Sequence, residues 1–212
     1  MEEAINKRYT QLAEDSCCLS CGGALDKSGI ISGEICIDLG SGRGNDVVRM
    51  AEIVGPDGFV YGIDSTPGMI SKGKKTAQKL GVENVEFILS GLEEIPLESS
   101  IADLIISNCV LNHVRRKDLV WKEIYRLLKP GGRFTISDIY ADEPVPSEYS
   151  SDPEAVAECW AGAVTYDEYM DYIARAGFSA VDVIEQSQPY EKGKIKVSSF
   201  TVSGIKPVPI KI

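Results

Sequence analysis

The chain has 212 residues, a length that suits one domain and allows a sizeable core. Its net charge of −10, with no stripe of basic residues, argues against a nucleic-acid partner because it would repel a phosphate backbone. No apolar run approaches the roughly 20 residues that span a bilayer, and the acidic start is unlike a signal peptide. We therefore expect no membrane partner and a cytoplasmic location.

The first 33 residues are predicted to form a segment of their own before the main domain. An amphipathic helix is expected at 4–13, followed by a polar loop that holds Cys17, Cys18 and Cys21. In a reducing compartment, six cysteines point to chemistry or metal binding rather than to disulfides. Cys18 and Cys21 have the spacing of half a zinc site, but no second pair completes it, so no metal site is predicted.

A glycine-rich turn follows the first predicted strand, at 34–39. Gly40, Gly42 and Gly44 precede a helical pattern, which is how open α/β sheets bind a nucleotide at the carboxyl ends of their strands. A dinucleotide fingerprint would need its third glycine at position 45, where this chain has Asn45. No Gly-Lys-Ser/Thr follows either, which disfavours a P-loop. A purely structural turn remains the alternative.

An acidic residue ends the second predicted strand, at 59–63. Asp64 comes 20 positions after Gly44, where this architecture uses a carboxylate to accept hydrogen bonds from ribose hydroxyls. The alternative is a helix cap, because Thr66 and Pro67 begin the next helical pattern.

The remaining pattern alternates strands and helices and then changes after Asp138. Strands are predicted at 85–89, 102–107 and 133–137, and helices at 67–80 and 117–128, which favours right-handed crossovers and a parallel sheet. A proline- and serine-rich excursion at 143–151 precedes a helix at 165–176. Two final strands, at 181–184 and 197–205 and joined by a polar segment, predict an antiparallel hairpin at the edge of the sheet.

Taken together, the motifs of residues 34–140 resemble the class I S-adenosylmethionine (SAM) methyltransferases. They are Ile-Asp-Leu-Gly-Ser-Gly-x-Gly at 37–44, Gly-Ile-Asp-x-Thr-Pro-x-Met-Ile at 62–70, Val-Glu-Phe at 85–87, Glu-Glu-Ile-Pro at 93–96, Asp-x-Ile-Ile-Ser-Asn-Cys-Val at 103–110 and Leu-Lys-Pro-Gly-Gly-Arg-Phe at 128–134. The resemblance implies a Rossmann-like, mostly parallel seven-stranded sheet with an antiparallel C-terminal hairpin. We expect a single domain overall, with a methyltransferase domain at 34–212 and a cysteine-containing lid segment at 1–33.

SAM is the cofactor that this resemblance implies. Relatives often carry an acidic residue after the third strand, where this chain has Gly91, so that contact is assigned to Leu92 or Glu93. The expected cofactor-binding residues are Asp38, Gly40, Gly42, Gly44, Asp64, Ser65, Leu92, Glu93 and Asn108.

The cysteines narrow the resemblance to the arsenite methyltransferases. The segments 107–110 and 158–163, the pair Cys21-Gly22 and the C-terminal 201–207 are similar to that family. The resemblance implies arsenic detoxification, a thiol reductant, and trivalent arsenic or another thiophilic small molecule as substrate, held by Cys21, Cys109 and Cys159. Thiolates suit a soft centre of this kind, whereas carboxylates do not.

Other interpretations of these residues stay open. Cys36 lies within an apolar strand and is assigned to core packing, and Cys109 and Cys159 could equally be small buried side chains. His113, the one histidine, could be a general base, but methylation of an arsenic lone pair removes no proton, so a partly buried polar role is favoured. A methyltransferase of small organic molecules and a non-catalytic SAM- or metal-binding module are the alternative functions.

Overall fold

The computed structural model describes residues 2–14 and 22–209, which form an eight-stranded sheet with helices on both faces. The strands are β1 Ile35–Leu39, β2 Phe59–Asp64, β3 Val85–Leu89, β4 Ala102–Asn108, β5 Leu128–Ala141, β6 Ser179–Gln186, β7 Tyr190–Lys192 and β8 Ile195–Ile205. The α-helices are α1 Glu2–Glu14, α2 Ala24–Lys27, α3 Asn45–Val54, α4 Pro67–Leu80, α5 Lys117–Leu127, α6 Ser147–Ser150, α7 Pro153–Ala157 and α8 Tyr166–Ala176.

The first five strands are parallel, in the spatial order β3-β2-β1-β4-β5. Because helices cover both faces, successive residues of a central strand enter two different cores. Ile105 packs in the core that includes α5 and α8, and its neighbours Leu104 and Ile106 pack in the core that includes α3 and α4. Cys36 is fully buried in the second of these cores, as expected for a packing residue.

The C-terminal strands complete the sheet in antiparallel orientation. β8 lies between β5 and β6, pairing antiparallel with both, and this confirms the predicted α/β class and its mixed sheet. The main path of the sheet has the expected seven strands, and an eighth strand, β7, lies off this path. The polar segment before β8 contains β7, which returns through a turn at Gly193, with a φ of 64°, and pairs with the start of β8.

The helix predicted at 117–128 and the strand predicted at 133–137 are not separated by a loop. The helix ends at Leu127 and β5 begins at once at Leu128, which is extended and pairs with Ala102. Between Leu128 and Arg133 the chain is longer than the facing part of β4, so Pro130 and the two following glycines are accommodated as an irregularity of the strand.

Two segments lie over the carboxyl end of the parallel strands. Helix α1 contacts α4 and α7. The excursion after β5 contains α6, α7 and a short 3-10 turn at Trp160–Gly162, and it packs its own apolar cluster against the end of β5. Within the described ranges, no helix is long and apolar enough to cross a membrane.

Candidate functional site

A cavity of about 390 Å³ lies at the carboxyl ends of β1, β2 and β4, between the sheet and helix α1. Open α/β sheets bind their ligands at this edge, and the volume suits a small molecule. The lining residues are Ile5, Tyr9, Gly40, Gly42, Asp64, Ser65, Thr66, Met69, Gly91, Leu92, Glu93, Asn108, Cys109, Val110, His113, Val114, Arg115 and Cys159.

The glycine turn is fastened to the end of the neighbouring strand. The backbone N–H groups of Gly40 and Ser41 both donate to the carbonyl of Ile63, at 2.8 and 2.9 Å. Gly40 has a φ of 72°, and a Cβ there would lie 2.1 Å from Val110 Cγ2, so glycine is required. Gly42 also has a positive φ, of 51°, but a Cβ there would meet no atom within 4 Å. The loop therefore presents bare backbone to the cavity.

Two residues predicted to contact the cofactor do not line the cavity. Gly44 lies at the start of α3, where a Cβ would meet Phe87 at 2.6 Å, so it allows the helix to pack closely. Asp38 is buried in β1, and burial together with Asp46 and Asp64 holds the pKa of its carboxyl well above the ordinary value. Both residues support the loop from beneath.

Asp64 lies on the cavity wall and orders two backbone segments. Its Oδ2 accepts the Gly42 N–H at 2.9 Å and its Oδ1 accepts the Thr66 N–H at 2.8 Å, so the carboxylate anchors the loop and closes a turn onto Thr66, the N-cap residue of α4. Burial raises its pKa, and the two backbone hydrogen bonds act in the opposite direction. A carboxylate oxygen accepts more than one hydrogen bond, so acceptor capacity remains toward the cavity.

The other predicted cofactor residues lie around the same cavity. Ser65 follows Asp64, and Gly91, Leu92 and Glu93 form the wall beyond β3. Leu92 is buried, whereas Glu93 is exposed. The segment after β3 therefore offers one apolar and one acidic side chain to a ligand.

Asn108 connects the cavity to the N-terminal segment. Its Nδ2 donates to Asp46 Oδ2 at 3.1 Å, and its Oδ1 accepts the Ala24 N–H at 3.2 Å. Gly22 lies so close that a Cβ there would be 2.4 Å from Asn108 Oδ1 and 2.5 Å from Ser137 Cβ. The chain that follows Cys21 is thus held against the end of β4, while Cys21 itself, with Cys17 and Cys18, lies outside the described residues.

Cys109 and Cys159 come together on the cavity wall although 50 positions separate them. Cys159 Sγ lies 3.4 Å from the Cys109 carbonyl oxygen. Both residues have positive φ, 55° and 72°, a conformation that L-residues other than glycine adopt rarely. Strained backbone of this kind is found preferentially at functional sites, and here it occurs at both thiols.

His113 and Tyr9 complete the wall beside Cys159. The His113 Nε2 atom lies 2.9 Å from Cys159 Sγ and 2.8 Å from the Tyr9 hydroxyl, and Nδ1 lies 3.0 Å from the Val156 carbonyl. Burial lowers the pKa of His113 to about 4 and raises that of Tyr9, so both groups are neutral at pH 7. Sequence patterns did not indicate Tyr9, because its helix approaches the site from 104 positions away.

The residues present fit the SAM cofactor. The loop leaves open space at Gly42, where a side chain would otherwise project, and the Asp64 carboxylate stands beside it as an acceptor for hydroxyl groups. At the other end of the cavity the lining changes to thiol groups and to the apolar Val110 and Val114. One end of the cavity, with Gly42 and Asp64, therefore suits a nucleoside, and the other end contains Cys109 and Cys159.

Comparisons with known proteins agree with this geometry. Residues 30–177 match the family model "Methyltransferase domain". An arsenite methyltransferase of Halobacterium salinarum is 40% identical over 173 residues, which are 82% of this chain and 44% of the relative. The chain therefore spans about half the length of the curated relatives it matches.

Solved structures share the fold. An arsenic(III) S-adenosylmethionine methyltransferase from Chlamydomonas reinhardtii has a TM-score of 0.76 at 29% identity, covering 99% of this chain and 75% of that one. Haemonchus contortus phosphoethanolamine N-methyltransferase 2, solved with S-adenosyl-L-methionine, has a TM-score of 0.75 at 17% identity, covering 98% and 57%, which supports the fold alone. The chain belongs to the methyltransferase domain family, with the class I fold and with S-adenosylmethionine as its cofactor.

Proposed function

We propose that this protein transfers a methyl group from SAM to trivalent arsenic bound by the thiolates of Cys109, Cys159 and Cys21. One observation carries the proposal: Cys109 and Cys159, distant in sequence, lie together in the cavity that the glycine loop and Asp64 also line. Arsenite methyltransferases at 40% and 34% identity are among the relatives, which supports the same substrate.

Methyl transfer to arsenic requires that the arsenic and the methyl group be held in position, and it requires no acid–base catalysis at arsenic. Bound SAM supplies a methyl group on a positively charged sulfonium, which a nucleophile takes by in-line displacement. The thiolates of Cys109 and Cys159 would hold the arsenic and leave its lone pair directed into the cavity. Apolar neighbours such as Leu92 and Val110 would exclude water from the reacting atoms.

The N-terminal segment 1–33 is proposed to act as a lid that also supplies the third thiolate. Tyr9 and Ile5 of α1 already form part of the cavity wall, and Thr66 Oγ1 donates to Asn6 Oδ1 at 3.3 Å. Gly22 packs against Asn108, next to Cys109. The proposal includes a thiol reductant as partner and the cytoplasm as location.

The test is to incubate the protein with arsenite, SAM and a thiol reductant and to identify methylated arsenic by mass spectrometry. Serine variants of Cys21, Cys109 and Cys159 are expected to lose nearly all of the product because each removes one soft ligand. Cys36→Ala is the matched control, since it removes a thiol that is buried in β1 away from the cavity.

Two results would contradict the proposal and favour its alternatives. Full activity of Cys109→Ser and Cys159→Ser on a small organic substrate would indicate an organic methyltransferase. An E. coli ubiquinone/menaquinone biosynthesis C-methyltransferase, 30% identical over 130 residues, is a relative of that kind. Tight SAM binding without any methylated product would instead indicate a binding module.

A further inference from the structure

The neighbours of the His113 ring fix its tautomer. Nδ1 lies 3.0 Å from the carbonyl oxygen of Val156, which can only accept a hydrogen bond, so Nδ1 carries the proton. In the neutral ring Nε2 then holds a lone pair, and Cys159 Sγ lies 2.9 Å from it. The charges that act most on the ring are the cations of Lys117, Arg8 and Lys192, which favour the neutral form.

We propose that His113 accepts the proton that the Cys159 thiol releases when its sulfur bonds to a soft electrophile. This inference rests on the proposed function only in naming trivalent arsenic as that electrophile. With arsenite, the S–H bond breaks and an S–As bond forms, while one As–OH bond breaks. The proton passes from sulfur to Nε2 and then to the departing hydroxide, which leaves as water, so the ring returns to its neutral state.

The contacts of the Cys159 sulfur provide an acceptor for its proton. Cys159 is 8% exposed, and its Sγ lies in direct contact with Nε2, so the ring nitrogen is placed to take the proton as the sulfur reacts. The Cys109 carbonyl, at 3.4 Å from this sulfur, can accept a hydrogen bond but is far too weak a base to take the proton. Among the described residues, Nε2 is a base that lies within hydrogen-bond distance of this sulfur.

Tyr9 supports the transfer by changing its role. Its hydroxyl lies 2.8 Å from the same Nε2 and 3.9 Å from Cys159 Sγ. Nε2 of the neutral ring has one lone pair, which accepts from the phenol or from the thiol in turn; once the thiol proton is on Nε2, the phenol oxygen is the acceptor of the new N–H. The protonated ring therefore has a hydrogen-bond partner on each side, Val156 O at Nδ1 and Tyr9 at Nε2.

The experiment measures the alkylation rate of Cys159 by iodoacetamide, followed by the mass of its peptide, in protein without SAM or arsenical. Here the S–C bond forms, iodide leaves, and the proton goes to Nε2 and on to solvent. His113→Leu and His113→Gln are expected to slow this rate at pH 7 by about tenfold or more. His113→Gln keeps an acceptor atom but cannot take up a proton. The rate at Cys109 is the internal reference and is expected to stay within about twofold.

Two controls separate proton transfer from a loss of structure. At pH 10 solvent hydroxide can take the thiol proton in place of the imidazole, so the difference between wild type and both variants is expected to disappear. Tyr9→Phe removes the group that accepts from the protonated ring but keeps the base, so Cys159 is expected to slow less than in the His113 variants. The proposal is overturned if either His113 variant reacts at the wild-type rate at pH 7, if the difference persists at pH 10, or if Tyr9→Phe slows the reaction equally. Because no arsenical is present, these outcomes are independent of whether the protein methylates arsenic.

Discussion

The Asp64 carboxylate accepts the backbone N–H of Gly42 at 2.9 Å, and this contact joins the end of β2 to the glycine loop after β1. The same carboxylate also accepts the backbone N–H of Thr66, the residue just before α4. One side chain therefore sets the shape of two walls of the cavity, and it is also the acceptor that we propose for a ribose. Loop geometry and cofactor affinity should change together when it is altered.

Asp64→Asn is expected to weaken SAM binding about 10- to 100-fold, measured as the Kd by isothermal titration calorimetry. A hydrogen bond to a charged group contributes about 1.5–3 kcal/mol, and an amide cannot accept at both positions as a carboxylate does. Asp57→Asn, in an exposed turn, makes the same change of charge and should leave the Kd unchanged. Equal affinity of the Asp64 variant and the wild type would contradict a ribose-binding role.

Gly40→Ala is expected to lower the free energy of unfolding by about 2–5 kcal/mol, measured by urea denaturation. The positive φ costs an L-residue about 1–2 kcal/mol, and the new Cβ would lie 2.1 Å from Val110 Cγ2, which adds about 1–3 kcal/mol of overpacking. Gly81→Ala is the matched control, because its φ of 68° is similar but nothing lies within 4 Å. If both variants lose the same stability, the contact with Val110 carries no cost.

Arg133→Lys tests how the segment before β1 is held to the sheet. The guanidinium pairs with both oxygens of Glu34, at 2.6 and 3.0 Å, and also donates to the carbonyls of Ser28 and Gly29. A lysine ammonium cannot reproduce this planar fork, so a loss of about 1–3 kcal/mol is expected from thermal or urea unfolding.

The control for Arg133 is Arg49→Lys. Arg49 pairs with Asp26 and Asp46, but about half of its side chain is exposed, so the change should cost less than about 1 kcal/mol. Losses of equal size at the two positions would show that the Glu34 pair is no stronger than a surface ion pair.

His113 is expected to make folding stability depend on pH between 6.5 and 4. In the unfolded chain the imidazole takes up a proton below its ordinary pKa of 6.5, whereas in the fold its pKa is about 4. The stability is therefore fully present above pH 6.5 and is lost as the pH falls toward 4. The free energy of unfolding that is lost in this way amounts to about 3 kcal/mol.

The measurement compares the wild type with His113→Leu in urea titrations at pH 7 and pH 4. The variant has no imidazole, so its loss on acidification should be smaller by that amount. Asp138, whose pKa is raised to about 7 by burial, is present in both proteins and cancels in the comparison. Parallel curves for the two proteins would mean that the ring is not kept neutral by the fold.

The sequence predicted most of the parallel half of the fold because its signals there are local. Helix α4 runs from Pro67 to Leu80 and ends at Gly81, whose φ of 68° matches the stop that a glycine predicts. Strand β7 was not predicted, because Tyr190–Lys192 is a short polar strand that depends on pairing with β8.

The part of the site that has local sequence signals was predicted, and the rest was not. Gly40, Gly42, Asp64 and Cys109 follow strand ends, and strand ends of a parallel sheet meet at one edge. The partners of His113 could not be predicted, since Tyr9 and Cys159 reach it from a helix and an excursion whose packing has no local signature. The sequence favoured a partly buried polar role for His113, and the proton-accepting role proposed above depends on these contacts, which have no local signal.

The place of β8 in the sheet has a consequence for biosynthesis. Because this late strand lies between β5 and β6, a nascent chain that has emerged only to Gln186 exposes the long edge of β5, including Ile136 and Ile139, which are buried in the finished protein. Translation must supply the last strand before that edge is protected. A stalled or truncated product should accordingly aggregate or bind chaperones rather than remain as a smaller folded domain.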